Sequence, residues 1–101
     1  GTKRKVIIRG WYIMMNIINS INNVLTKGEL LLHIEPTSTA IKSVLKINYK
    51  LYILTKDNKT PKEILFFSST LTPGNVISDL DEWATQEILK FVIQGGLRDY
   101  E

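Results

Sequence analysis

A chain of 101 residues holds one domain and one modest core. Its 44% apolar and 23% charged residues exclude a globally disordered chain, and the lack of cysteine excludes disulfides and thiolate metal sites. The net charge of +3 is unevenly placed: Lys3, Arg4, Lys5 and Arg9 fall within the first ten residues, leaving nine basic against ten acidic residues elsewhere. A basic tip on a near-neutral body is either a solvated tail or a match for an anionic surface such as a membrane leaflet, and suits a nucleic-acid groove less well.

The first element is a helix over Val6 to Leu25. Trp11, Met14, Met15, Ile18, Ile21 and Leu25 recur at helical spacing, and Asn16, Asn19, Ser20 and Asn23 gather opposite them. Two readings stand side by side. Either the helix covers a small sheet, or it lies in the plane of a membrane interface. In the second case the basic residues and the Trp11–Tyr12 pair anchor it, and Met15 and Ile18 face lipid or a partner. No stretch reaches the ~18 uninterrupted apolar residues of a spanning helix. The asparagines and the lack of a small-residue cleavage site argue against a signal peptide.

Lys27-Gly28 closes the helix, and Glu29 to Glu35 is apolar enough for a short strand. Pro36-Thr37-Ser38-Thr39 predicts a turn or loop. His33, the only histidine, has no second ligand nearby and is expected to be a plain strand side chain. The clearest strand is Ser43 to Ile53, where Leu45, Ile47, Tyr49, Leu51 and Ile53 alternate with Lys46, Asn48 and Lys50. Lys42, Lys46 and Lys50 form either a phosphate-binding stripe or, more simply, a solvated face. The aromatic residues of this segment are expected on the opposite face, which leaves no stacking platform beside the lysines.

Lys56 to Lys59 is a polar turn leading to a helix-start signal: Thr60 as cap, Pro61 in the first turn and Glu63 closing the box. A helix over Pro61 to Leu71 follows, stopped by Thr72-Pro73-Gly74. Val76 to Asp81 reads as a strand. Asp79, Asp81, Glu82 and Glu87 form an acidic patch expected to be a solvated turn. Glu87 to Gln94 reads as a further strand, or alternatively as part of a helix from Leu80 to Ile93. Gly95-Gly96 ends it, and Leu97 to Glu101 is a tail.

The run Ser69-Thr70-Leu71-Thr72-Pro73-Gly74 has an apolar helix before it and a strand ending in Asp79-Leu80-Asp81 after it. In this it resembles the E-type subunits of the multisubunit cation/proton antiporters (Mrp or Mnh type) and their relatives in membrane-bound hydrogenases. The resemblance covers about residues 10 to 93. The family's two spanning helices are not in this sequence. The resemblance implies a non-catalytic accessory subunit bracing its neighbours at the cytoplasmic face of a cell membrane. Thr70, Thr72, Pro73 and Gly74 would then shape a turn and bind no ion.

The chain carries no nucleophile elbow, phosphate loop, metal-ligand spacing or triad, so neither catalysis nor a cofactor is expected. The expected architecture is a single α+β domain over residues 1–101. It comprises a tip and amphipathic helix (1–27), a body (29–94) and a tail (95–101). A small, mostly antiparallel sheet would contain a β-α-β crossover from Ser43–Ile53 through Pro61–Leu71 to Val76–Asp81. The expected partners are other members of a membrane complex and an anionic membrane surface. The rival functions are a soluble module, in one version a homodimer, that binds protein through the Trp11–Leu25 face, and a small nucleic-acid binder using Lys42, Lys46 and Lys50.

Overall fold

The computed structural model describes residues 2–41, 43–74 and 77–101, with side chains described from 12 onward except at 77–79. The order is α1 (Thr2–Val24), β1 (Glu29–Ser38), β2 (Leu45–Leu54), β3 (Lys62–Leu71), α2 (Ile77–Ile93) and a short 3-10 turn, Arg98–Tyr100. The strands form one antiparallel sheet in the order β1-β2-β3. This is an α+β protein with one helix before the sheet and one after it.

Strand alternation builds the core. Ile47, Tyr49, Leu51 and Ile53 of β2 all point to one face and are buried. Leu30, Leu32 and Ile34 of β1 lie opposite Ile53, Leu51 and Tyr49, and Leu65 and Phe67 of β3 oppose Leu51 and Tyr49 from the other side. Met14 and Ile18 of α1 and Leu80, Ala84 and Ile88 of α2 close over this row, so both helices cover the same face. The fourfold spacing within each helix puts these residues in line. Asn16, Asn19 and Asn23 of α1 stay exposed.

Several expectations are corrected. Where a helix over Pro61–Leu71 is expected, the chain forms the strand β3, Lys62–Leu71. Among the described residues there is therefore no β-α-β crossover, and the sheet is a simple meander. Thr60 caps nothing: its N–H is taken by the Asn58 side chain at 3.2 Å, and Glu63 pairs with Tyr52 inside the sheet. The aromatic residues of 64–71 fit a pleated surface, and pairing with β2 stacks Phe67 on Tyr49 at 5.0 Å. Downstream, Ile77–Ile93 is all helix, because Leu80, Ala84 and Ile88 give a buried stripe at helical period. The strands expected at Val76–Asp81 and Glu87–Gln94 therefore do not form, although Val76 itself lies outside the described residues. The helix reading from Leu80 to Ile93 is the one that holds.

Pro36-Thr37-Ser38 belongs to β1 and not to a turn, with Pro36 opposite Ile47. An edge strand tolerates proline because a missing N–H on its outer side breaks no ladder bond. Between Leu51 and Tyr52 the β2–β3 register shifts by one residue, leaving Ile64 as the extra residue of a bulge.

Helix α2 ends where the glycine pair predicts. Gly95 has φ 87°, its N–H reaches Val92 O at 3.0 Å, and the Gly96 N–H reaches Phe91 O at 2.9 Å. That pair of bonds is a Schellman cap, whose left-handed residue favours glycine. The tail then returns to the body: Leu97 is buried, and Tyr100 O accepts the Lys27 N–H at 3.1 Å.

Candidate functional site

Three places bring chemistry-bearing side chains together. The first lies under α2. Tyr49, Phe67 and Trp83 form an aromatic cluster, with Trp83 edge-on to Phe67 at 5.5 Å. The Tyr49 hydroxyl donates to Asp81 Oδ1 at 3.4 Å, and Thr85 Oγ1 donates to the Asp81 carbonyl at 2.8 Å. Burial pushes the Asp81 carboxyl above its ordinary value, against the opposing pull of the Tyr49 hydrogen bond. Burial also pushes the Tyr49 phenol upward, with the Asp81 charge and hydrogen bond adding to it. Asp81 is 5% exposed and Tyr49 1%. The pair is a polar joint inside the core, not a group presented to a substrate.

The second place is the uncovered face of the sheet. Its side chains line up in cross-strand rows: His33–Lys50–Phe66, Leu31–Tyr52–Glu63, Glu35–Asn48–Ser68 and Thr37–Lys46–Thr70. Phe66 is 49% exposed, and Lys50 Nζ stands 5.9 Å from its ring centroid, within cation–π range. Tyr52 and Phe66 thus share the face of Lys46 and Lys50; of the two aromatic residues expected opposite the lysines, Tyr49 lies there and Tyr52 does not. Tyr52 has the same parity as the lysines, a signal legible in the sequence; the place of Phe66 stays hidden while its segment reads as helix. Glu35 and Glu63 stand on the same face and offset the two lysines. A shallow depression lined by Leu31, His33, Tyr52 and Pro61 lies at one end. Asn48 Nδ2 donates to Thr37 Oγ1 at 3.2 Å, and its enclosed Oδ1 has no partner among the described residues.

The third place is α1. Of the residues expected to face lipid or a partner, Tyr12 is 59% exposed and Met15 is half-buried, whereas Ile18 is 2% exposed and belongs to the core. The side chains of Lys3, Arg4, Lys5, Arg9 and Trp11 lie outside those described. The turn residues stand where β3 gives way to α2. Thr70 is the last but one residue of the strand, Thr72 is half-buried, and Pro73 and Gly74 are exposed. Among its described members the acidic patch is not assembled: Asp81 is buried, Glu82 is exposed, and Glu87 pairs with Lys90 at 3.3 Å. The side chain of Asp79 lies outside the described set. His33 sits 3.8 Å from Glu35, both well exposed, an arrangement that contributes little. Among the described residues no group of three His, Cys, Asp or Glu could hold a metal ion.

Sequence reasoning missed the Tyr49–Asp81 contact and also one made by a residue it never singled out, Asn22. The Asn22 side chain of α1 accepts from the Leu30 N–H at 2.7 Å and donates to the Leu30 carbonyl at 3.1 Å. The amide of Asn22 therefore stands in for a neighbouring strand at the outer edge of β1.

Comparison with known protein families, with curated proteins and with solved structures finds no match to this chain.

Proposed function

We propose that the chain is a non-catalytic accessory module, holding a larger assembly at an anionic surface through the basic start of α1. The observation that carries this reading is the continuity of α1. One helix runs from Thr2 to Val24, its second half is locked into the core by Met14 and Ile18, and its first turns hold Lys3, Arg4, Lys5 and Arg9. The cations are thus joined to the body by helix backbone. Exposed Tyr12 and Ile13 follow directly and supply an amphipathic flank. Since Ile18 is spent on the core, the anchoring surface is the start of the helix and not its whole apolar side.

In its most specific form the reading is that of an E-type antiporter component on the cytoplasmic face of a membrane. Its support there is the Leu71-Thr72-Pro73-Gly74 turn, which here joins β3 to α2. No helix among the described residues is long and apolar enough to cross a membrane. The test is flotation with phosphatidylserine-containing vesicles. Replacing Lys3, Arg4, Lys5 and Arg9 with glutamine removes about 1 kcal/mol per charge, and so should lower binding on the order of a thousandfold. Absence of binding, or binding unchanged by the four substitutions, rejects the proposal.

One observation favours a second reading as a single-stranded nucleic-acid binder: Phe66 and Tyr52 share a face with Lys46 and Lys50. Glu35 and Glu63 on that face weigh against it. Lys42 lies outside the described residues. Salt-sensitive binding of a labelled oligonucleotide, lost on Phe66→Ala, would support it.

A further inference from the structure

The two edges of the sheet are built differently, and the difference can be traced bond by bond. Paired residues of an antiparallel ladder exchange both backbone bonds or neither. Leu30 gives its N–H and its carbonyl to Asn22, so it makes no ladder bond to its opposite number Ile53 and points outward. Every second residue of β1 then points outward too, including Pro36, which has no N–H to offer there. The edge of β1 is therefore plugged at one end and blunted at the other, two recognised guards against edge pairing.

The same parity carries across the sheet. Ile53, not bonded to β1, directs its backbone toward β3, as do Leu51, Tyr49, Ile47 and Leu45. Their partners Leu65, Phe67, Ser69 and Leu71 turn inward to meet them. Phe66, Ser68 and Thr70 consequently present N–H and carbonyl groups outward. Among the described residues no backbone hydrogen bond joins β3 to anything but β2. From Leu65 to Leu71 the strand has no charge, no proline and no bulge. An edge of that kind is a template for another strand.

We propose that the occupant is a second copy of this chain, with β3 pairing antiparallel to its own image and making one six-stranded sheet. The bulge fixes the register. Centring the twofold axis on Ser68 pairs the whole regular run, Leu65 opposite Leu71 and Phe66 opposite Thr70, and stops short of Ile64. Each inward-facing residue then meets an inward-facing one, and the outward backbone groups of Phe66, Ser68 and Thr70 are all satisfied. The uncharged run lets two like-charged chains approach at this edge. The guarded β1 edges lie at the two ends, so the assembly closes at two chains instead of growing into a fibre. This inference does not depend on the surface-anchoring reading.

Sedimentation velocity over a wide concentration series tests it. The parent protein should pass from the mass of one chain to that of two, with the amides of Phe66, Ser68 and Thr70 gaining exchange protection as it does. Ser68→Pro removes one outward N–H, as Pro36 does in β1, and should hold the protein at one chain. Because proline here could unfold the strand, a charge pair provides the second arm. Phe66→Lys with Thr70→Lys sets like charges opposite each other and should abolish the two-chain form. Phe66→Lys with Thr70→Glu sets opposite charges there and should restore it in a salt-sensitive manner. A parent protein that stays at one chain, including one that captures an added extended peptide at this edge, overturns the proposal. So does a two-chain form that survives the double lysine variant.

Discussion

The Tyr49 hydroxyl reaches Asp81 Oδ1 at 3.4 Å, tying the middle strand to the second turn of α2 through the core. This contact places an ionisable acid where water is scarce, and burial pushes its carboxyl above the ordinary value. Between the ordinary and the raised value, the native protein keeps a proton that the unfolded chain has released. Stability therefore falls as pH rises through that window and stays lowered above it. Asp81→Asn keeps an acceptor for Tyr49 without the charge. The variant should be more stable than the parent at neutral pH, with the gap narrowing on the acid side. Urea denaturation at several pH values measures this; a gap independent of pH would mean that Asp81 costs nothing when ionised.

The Asn22 amide satisfies both backbone groups of Leu30. Asn22→Ala should cost about 2 kcal/mol, since two half-buried backbone groups lose their partner. The exposed Asn19 offers a control on the same helix, expected within about 0.5 kcal/mol of the parent. Chemical denaturation distinguishes them, and equal costs would show that the Asn22 bridge contributes nothing.

Whether α1 belongs to the body is open to a direct mutational check. Ile18→Ala should destabilise by about 2–5 kcal/mol through the cavity it leaves. Ile13→Ala, at a position 51% exposed, should cost far less. Since a domain's whole stability is about 5–15 kcal/mol, the first variant should show a clearly lowered melting midpoint. Similar midpoints for the two variants would mean that α1 is detached in solution.

At the end of α2, Gly95→Ala forces an alanine into a left-handed backbone at φ 87°. The expected cost is about 1–2 kcal/mol. Gly96→Ala acts differently, because its new methyl would meet the Phe91 ring at 2.5 Å and push it aside. Thermal melts should place both variants below the parent, with only the second altering the near-ultraviolet aromatic signal.

The elements most legible in the sequence were those with an unbroken period. Alternation from Leu45 to Ile53 marked β2, and the Met14–Ile18–Ile21–Leu25 spacing marked α1. The same spacing, Leu80–Ala84–Ile88, was available for α2. It was obscured by the β-branched pair Val76-Ile77 after the Pro73-Gly74 turn and by the strand-forming residues of 91–93. The misreading of β3 has a local cause. Thr60, Pro61 and Glu63 have the spacing of a capping box, but Asn58 takes the Thr60 amide first. The bulge at Ile64 then puts two apolar residues side by side, and Phe66 faces outward, so no clean alternation appears. Residue type outweighed period here, since Phe66, Phe67 and Thr70 suit a pleated surface. Of the candidate surfaces, the basic run was plain in the sequence. The Tyr49–Asp81 and Asn22–Leu30 contacts span 32 and 8 residues and depend on a packing that no local pattern announces.

The meander has a consequence for how the polypeptide is made. Each ladder joins strands that follow one another, so the sheet can zip up from local hairpins as the chain emerges. Helix α1 fares otherwise: Ile18 shares a core with Ile88, about seventy residues downstream. Synthesised first, it must wait for α2 before its greasy side is fully sheltered. During translation that delay leaves Met14 and Ile18 open to chaperones, and a nascent chain arrested before residue 77 should bind them more strongly than the finished product.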